Sequence, residues 1–237
     1  IRVEYEVLAP LTDPEAAVDG SFDPIHPDGN VIRHQRVVCG NPEVVGEVIV
    51  ESDYEMGMQD QAFLGLEAAL AVPGPGGESI DLYVATQSMH DDLRQIAPCL
   101  GLAEDKVRLI LSGVGGAFGG REDLSLQVHT CLLALRTGRP VRVHYGREES
   151  FLGHIHRHPA RMWMRHHADR DGRLVKIEAR FVLDGGAYAS TSTAVLVNAV
   201  THTQGPYRCD NAIVDGWSVR TNNPPCGAMR GFGVVQA

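Results

Sequence analysis

The segment Gly113-Val114-Gly115-Gly116-Ala117-Phe118-Gly119-Gly120-Arg121-Glu122 constrains this chain more than any other stretch. A short apolar run, Val107–Leu111, precedes it and reads as a strand. A helical run over about residues 124–137 follows, with Glu122 and Asp123 near its positive end and Gly138 as its stop. Glycines crowded between strand and helix build a loop whose backbone can come close to a ligand or to another chain segment. Two nucleotide-binding templates fail here. Counting G-x-G-x-x-G from Gly113 puts Phe118 at the last glycine, and counting from Gly115 puts Ala117 at the second. Gly119-Gly120 runs into Arg121-Glu122 and not into Lys-Ser/Thr, so the loop is not a phosphate-binding P-loop. Two glycine pairs around an aromatic remain, suited to a flat or bulky group on which Phe118 packs. The plainer alternative is a turn that lets strand and helix pack tightly.

A second segment, Gly227-Ala228-Met229-Arg230-Gly231-Phe232-Gly233, again couples glycines to an aromatic and adds an arginine with its fork of donors. Together the two predict one site for a large planar anionic ligand. Around them the chain alternates strand-like and helix-like runs. Residues 1–7 alternate as a strand already under way, and residues 9–43, rich in Pro, Gly, Asp and Asn, read as a linker or wrapping loop. Strands are expected at residues 44–50, 81–85, 141–145, 154–166, 175–183 and 212–220, and helices at 61–72 and 193–202. A further helix is expected from Ser88, with Asp91 at capping-box spacing, to Gly101. Strict strand–helix alternation is missing, which favours an α+β fold of mixed sheets with packed helices. Both ends of the sequence read as cuts within a larger polypeptide.

Lysine and arginine number 21 against 30 aspartates and glutamates, a net charge of −9. Such a surface argues against nucleic acid or an anionic membrane as partner, since both demand clustered cations. No run approaches the roughly 18 apolar residues of a membrane span. Apolar residues at 43% and charged residues at 22% are those of a globular chain. The cysteines (Cys39, Cys99, Cys131, Cys209, Cys226) are odd in number, scattered, and without a C-x-x-C pair. That pattern excludes a disulfide scaffold, a zinc ribbon or a cysteine-held iron–sulfur cluster on this chain, and points to a reducing, cytoplasmic compartment.

The two glycine segments resemble the G-G-x-F-G-G-K/R-E and A-x-R-G-F-G-x-x-Q signatures of the molybdenum-cofactor subunit of the xanthine dehydrogenase/aldehyde oxidase family. The likeness continues in order through Thr86-Gln87-Ser88 with Arg94, Gly138-Arg139-Pro140-Val141, Arg147-Glu148-Glu149 and Arg157-His158-Pro159. It extends to Asp184-Gly185-Gly186-Ala187-Tyr188, Gly205-Pro206-Tyr207 and Thr221-Asn222. It implies that residues 1–20 end a preceding small α/β domain, that 21–43 form a linker, and that 44–237 are the first half of a molybdopterin-binding domain. The implied activity is hydroxylation of an electron-poor carbon, in a purine-like or azine N-heterocycle or in an aldehyde, with oxygen derived from water. The implied cofactor is molybdenum-molybdopterin, with its nucleotide form open and the cytosine dinucleotide among the candidates. Iron–sulfur clusters and FAD are expected on other chains or domains, as is the remaining half of the molybdenum subunit.

Carried over singly, Gln61 matches a glutamine near the apical oxygen of the metal. Gly116, Phe118 and Gly119 fall in the loop that wraps metal and dithiolene, and Arg230 matches an arginine near the oxo ligand. Phe232 matches an aromatic that stacks on a substrate ring, and Glu122 a carboxylate that contacts purine. The resemblance thus implies catalytic roles for Gln61, Glu122 and Arg230, and substrate contacts for Glu122, Asn198 and Phe232. The family's metal is held by the dithiolene, so no side chain is expected to ligate it. Three positions depart from the pattern. Asn198 stands where purine-oxidising members carry arginine, which weakens the case for xanthine, and Met229 stands where phenylalanine is common. The family's general-base glutamate lies in a distant C-terminal segment, so this chain alone is expected to be inactive. The alternative is a non-catalytic cofactor-binding or scaffold fragment of such a complex.

His154, His156 and His158 alternate and would share one strand face, a candidate metal site or simply a polar face. Asp91, Asp92, Glu148 and Glu149 read as solvated carboxylates, and Cys226 as a small buried residue.

Overall fold

The computed structural model describes residues 2–236 as two compact units. Of the described residues, the first unit holds 2–59, 157–227 and 231–236, and the second holds 60–156 and 228–230. Elements in chain order are α1 (Pro14–Asp19), β1 (Val31–Cys39), β2 (Val48–Met56), β3 (Ala68–Pro73), β4 (Ile80–Val84) and α2 (Met89–Leu100). They continue with β5 (Val107–Leu111), α3 (Gln127–Thr137), β6 (Val141–His144), α4 (Arg147–Gly153), the two-residue β7 (His156–Arg157) and β8 (Ala160–Ala168). The last are β9 (Leu174–Asp184), α5 (Ser192–His202), β10 (Ala212–Val219) and the two-residue β11 (Cys226–Gly227).

In the first unit a five-stranded sheet runs β1-β10-β9-β8-β2, with β9 and β10 parallel and the other pairings antiparallel. The central strand β9 shows why two faces can be covered. Ala179, Phe181 and Leu183 pack with Val195, Leu196, Ala199 and Val200 of α5, while Val182 turns to the opposite face with Leu11, Ala17 and Val219. In the second unit a four-stranded sheet runs β5-β4-β3-β6, with β4 and β5 parallel. Its core joins Ala71, Leu82 and Val84 to Ile96 and Ala97 of α2 and to Cys131 and Ala134 of α3. The mixed α+β architecture expected from sequence is thus present.

Several local expectations are corrected. No strand forms over residues 2–7, which are exposed, and Ile1 lies outside the described residues. The stretch 9–43 is not wholly loop, since it contains α1 and β1, and β1 pairs along its length with β10. Residues 61–72 form no helix. Residues 69–71 pair with both β4 and β6, so neighbours on two sides override the helical composition. The strand expected at 44–50 begins at Val48 and runs on to Met56. The helix from Ser88 forms and ends at Gly101 in a left-handed conformation, but Ser88 makes no side-chain cap. Asp91 pairs with Arg94 instead. Asp92, expected to be solvated, is fully buried, and burial raises its carboxyl pKa against the lowering effect of Thr86 and Gln127. The run expected as a strand over 154–166 begins as an irregular passage after α4, and its long strand starts at Ala160.

His158 lies fully buried in the first unit, its Nε2 2.8 Å from Ser192 Oγ. Burial pushes its pKa down from 6.5 to about 4, partly opposed by the Gly227 backbone. Because the folded pKa is depressed, the unfolded chain takes up this proton first as pH falls. Stability from this group is therefore complete above pH 6.5 and declines between 6.5 and about 4, by up to about 3 kcal/mol. Urea denaturation at pH 7 and pH 4.5 should show that loss in the wild type and a smaller one in His158→Gln. An unchanged difference would assign the acid sensitivity to other groups.

Candidate functional site

Both glycine–aromatic segments adopt the same unusual backbone. Phe118 has φ 53° and is followed by Gly119 at φ 98°; Phe232 has φ 45° and is followed by Gly233 at φ 103°. Left-handed aromatics are uncommon and persist only where the surroundings hold them. In each case the following glycine leaves no room for a side chain. A Cβ on Gly119 would stand 2.6 Å from the Ala228 carbonyl carbon and oxygen and 2.8 Å from Met229 N, and one on Gly233 would meet the Val195 carbonyl oxygen.

In the second unit the loop and the far segment lock together. Arg230 N–H donates to the Phe118 carbonyl at 2.8 Å, and the Arg230 guanidinium stands over the Phe118 ring, 5.2 Å from its centre. Arg230 and Phe118 are both exposed, so a cation and an aromatic face are presented side by side. Gln61 is buried beside them. Its Nε2 donates to the Ala228 carbonyl at 2.7 Å, and its Oε1 lies 3.1 Å from His154 Nε2. Gly116, at φ 98°, lies against Phe63 and Phe118. The structure thus brings Gln61, Gly116, Phe118, Gly119 and Arg230 together in the second unit.

Glu122 follows directly, its N–H donating to the Gly119 carbonyl at 3.3 Å. Burial, with a smaller contribution from Asp123, raises the Glu122 pKa, so the carboxyl keeps its proton to a higher pH than a solvated glutamate does. The remaining predicted residues lie in the first unit. Asn198, on α5, donates from Nδ2 to the Phe232 carbonyl at 2.9 Å, and the Phe232 side chain packs on the α5 core. An open pocket of about 440 Å³, lined by Ser190, Thr191, Thr193, Ala194, Val197 and Asn198, lies beside that helix.

Sequence reasoning missed the supports of the loop. Gln87 Oε1 accepts from Gly119 N–H at 3.1 Å and Arg121 N–H at 3.2 Å, which ties the loop to the end of β4. The Arg121 guanidinium stacks 4.6 Å from the Phe63 ring and donates to the Gly65 carbonyl. Burial lowers the Arg121 pKa, and the Glu67 charge partly restores it. Phe63 itself is fully buried beneath the loop. Side chains that reach across tens of residues to a backbone group leave no local signature in a sequence.

The glycine–aromatic segments point to a large planar anion and the resemblance to molybdenum-molybdopterin, and the residues present suit such a group. Close backbone approach, an exposed aromatic face, a guanidinium and a buried amide form a polar, tightly held loop. The model of the molybdopterin cofactor-binding domain matches residues 25–237, and this chain belongs to that family. It is 37% identical over 236 residues to a probable xanthine dehydrogenase subunit of Bacillus subtilis (strain 168), with 98% of this chain and 32% of that protein covered. It is also 37% identical over 240 residues to the nicotinate dehydrogenase large molybdopterin subunit of Eubacterium barkeri, covering all of this chain and 56% of that protein. Among solved structures, the aldehyde oxidoreductase from Desulfovibrio gigas superposes with a TM-score of 0.85 at 27% identity, covering 98% of this chain and 26% of that one. The chain therefore spans about a third to a half of the length of these two curated relatives. Among the described residues, no helix is long and apolar enough to cross a membrane.

Proposed function

We propose that this chain is the cofactor-holding part of a molybdenum hydroxylase whose substrate is an N-heterocycle, purine-like or azine, in preference to an aldehyde. The observation that carries this reading is the pairing of Arg230 with the exposed ring of Phe118 over a glycine loop closed on Ala228-Met229. When bound, molybdenum-molybdopterin supplies two-electron oxidation of an electron-poor carbon with oxygen derived from water. The chain's own residues hold and orient. Gly116, Phe118 and Gly119 bring backbone against the ligand, Arg230 offers donors to its oxygens, and Gln61 presents an amide whose orientation is fixed by Ala228 and His154. Glu122 keeps a carboxyl at the mouth of the loop, where it pairs with a ring nitrogen. Asn198 fixes the backbone that carries Phe232, whose ring offers a stacking face. The rest of the molybdenum subunit and iron–sulfur and flavin subunits or domains complete the machinery, in keeping with relatives named as subunits.

The heterocycle preference rests on Glu122. A half-buried carboxyl whose burial holds its proton favours substrates with a ring N–H or ring nitrogen to pair with. The two relatives at 37% identity are named for xanthine and nicotinate, both heterocycles. In the whole enzyme, Glu122→Gln should lower kcat/KM for an N-heterocycle by about tenfold or more, equivalent to about 1.4 kcal/mol, and leave that for a simple aldehyde nearly unchanged. Equal losses on both substrates would make Glu122 a structural residue and remove the heterocycle preference.

A further inference from the structure

Among the described residues, one group of three metal-ligating side chains converges: Asp60, His154 and His156, all in the second unit. The side chains of His154 and His156 are 2% and 9% exposed, and that of Asp60 is 18% exposed. Asp60 Oδ2 lies 3.2 Å from His154 Nε2 and 3.2 Å from His156 Nε2. Ligand atoms bound at about 2.0–2.2 Å around a tetrahedral zinc stand roughly 3.3 Å from one another. Two of the three spacings are those of a ligand shell, and all three atoms lie within 4.8 Å of one another.

Independent support comes from the polar atoms around the group. Asp60 Oδ2 and His156 Nδ1 are buried and neither makes a well-directed hydrogen bond. Buried polar atoms left in that state are costly unless something charged compensates them. Glu67 Oε1 stands 3.0 Å from His154 Nδ1. A carboxylate behind the outer nitrogen of a ligating histidine is the usual way to fix its tautomer and raise its basicity. At present His156 Nε2 lies 2.9 Å from the Phe151 carbonyl, and His154 Nε2 lies 3.1 Å from Gln61 Oε1. Moving each proton to the outer nitrogen frees both Nε2 atoms to ligate, and on His154 that proton then faces Glu67.

We propose that Asp60, His154 and His156 form a buried site for a divalent cation of the zinc type, oriented by Glu67 and bordered by the Gln61 amide. The histidine pair also explains why only two of the three alternating histidines participate. His158 belongs to the first unit and engages Ser192. The proposal stands on the second unit's own geometry and not on the heterocycle reading.

The test uses the full-length protein purified with its native partners and supplied with zinc ion alone. Zinc K-edge absorption is blind to iron and molybdenum and reads the shell directly. The expected result is about one retained zinc per chain with nitrogen and oxygen neighbours near 2.0–2.1 Å, two of them imidazoles. In competition with a chelator, Glu67→Gln should weaken zinc binding about 10–100-fold, and His156→Gln should abolish it. His129→Gln, on the exposed face of α3, should leave it unchanged. A sulfur-containing shell, no retained zinc, or equal affinity in Glu67→Gln and wild type would overturn the proposal. If His156→Gln fails to fold, the wild-type shell and the Glu67→Gln affinity still decide.

Discussion

Gly119→Ala should empty the cofactor loop. A non-glycine residue at positive φ costs about 1–2 kcal/mol, and a methyl group forced into a filled space costs about 1–3 kcal/mol more. Here the methyl would sit 2.6 Å from the Ala228 carbonyl, which is backbone and cannot swing aside as a side chain would. The loop must therefore separate from the segment carrying Arg230, and the Arg230 N–H to Phe118 carbonyl bond is lost with it. We expect molybdenum and pterin content of the purified protein to fall at least tenfold and its thermal midpoint to drop. The neighbouring Gly113, whose Cβ would meet nothing, provides the control, and Gly113→Ala should retain cofactor. Full cofactor content in Gly119→Ala would mean that the loop and the arginine segment can bind apart.

Phe63→Ala should produce the largest loss of stability in the second unit. Phe63 is fully buried and serves several neighbours at once. Arg121 stacks on its ring, the His154 ring lies 5.1 Å away, and Gly116 and Gly120 press against it. Removal of a buried phenyl costs about 3–5 kcal/mol, and partial collapse would misplace the backbone that the glycines hold. Denaturant unfolding should show a loss of that size, and Phe63→Leu should recover more than half of it. A loss below about 1 kcal/mol would show that the loop is held without this ring.

The sequence was most informative where spacing carries the structure. Residues 107–111, 175–183, 193–202 and 212–220 are identified by alternation or helical spacing, and each element lies within a few residues of its expected place. Phe118 and Arg230 were legible because glycines flank each of them, and a backbone that must turn left-handed or pass close advertises itself in composition. Gln87, Phe63 and His154 were not legible as site residues. Each acts through a contact that no residue beside it in sequence reports, such as the Gln87 bond to Gly119. The failure at residues 61–72 has a related cause. Ala68–Pro73 is an inner strand, and its conformation is decided by two partners distant in the chain.

The discontinuity of the second unit has a consequence for the order in which the protein is made. Its four-stranded sheet needs nothing beyond His144, so strands, α2 and α3 can assemble while the ribosome is still at work. Ala228, Met229 and Arg230 are translated much later, yet Gln61 and Gly119 are held against them. Closing so long a stretch of chain is entropically slow, and it comes after local packing is complete. A nascent chain halted between His156 and Ala228 therefore owns a finished sheet and an unfinished cofactor loop. Closure of the glycine loop on residues 228–230 therefore follows assembly of the sheet that carries it.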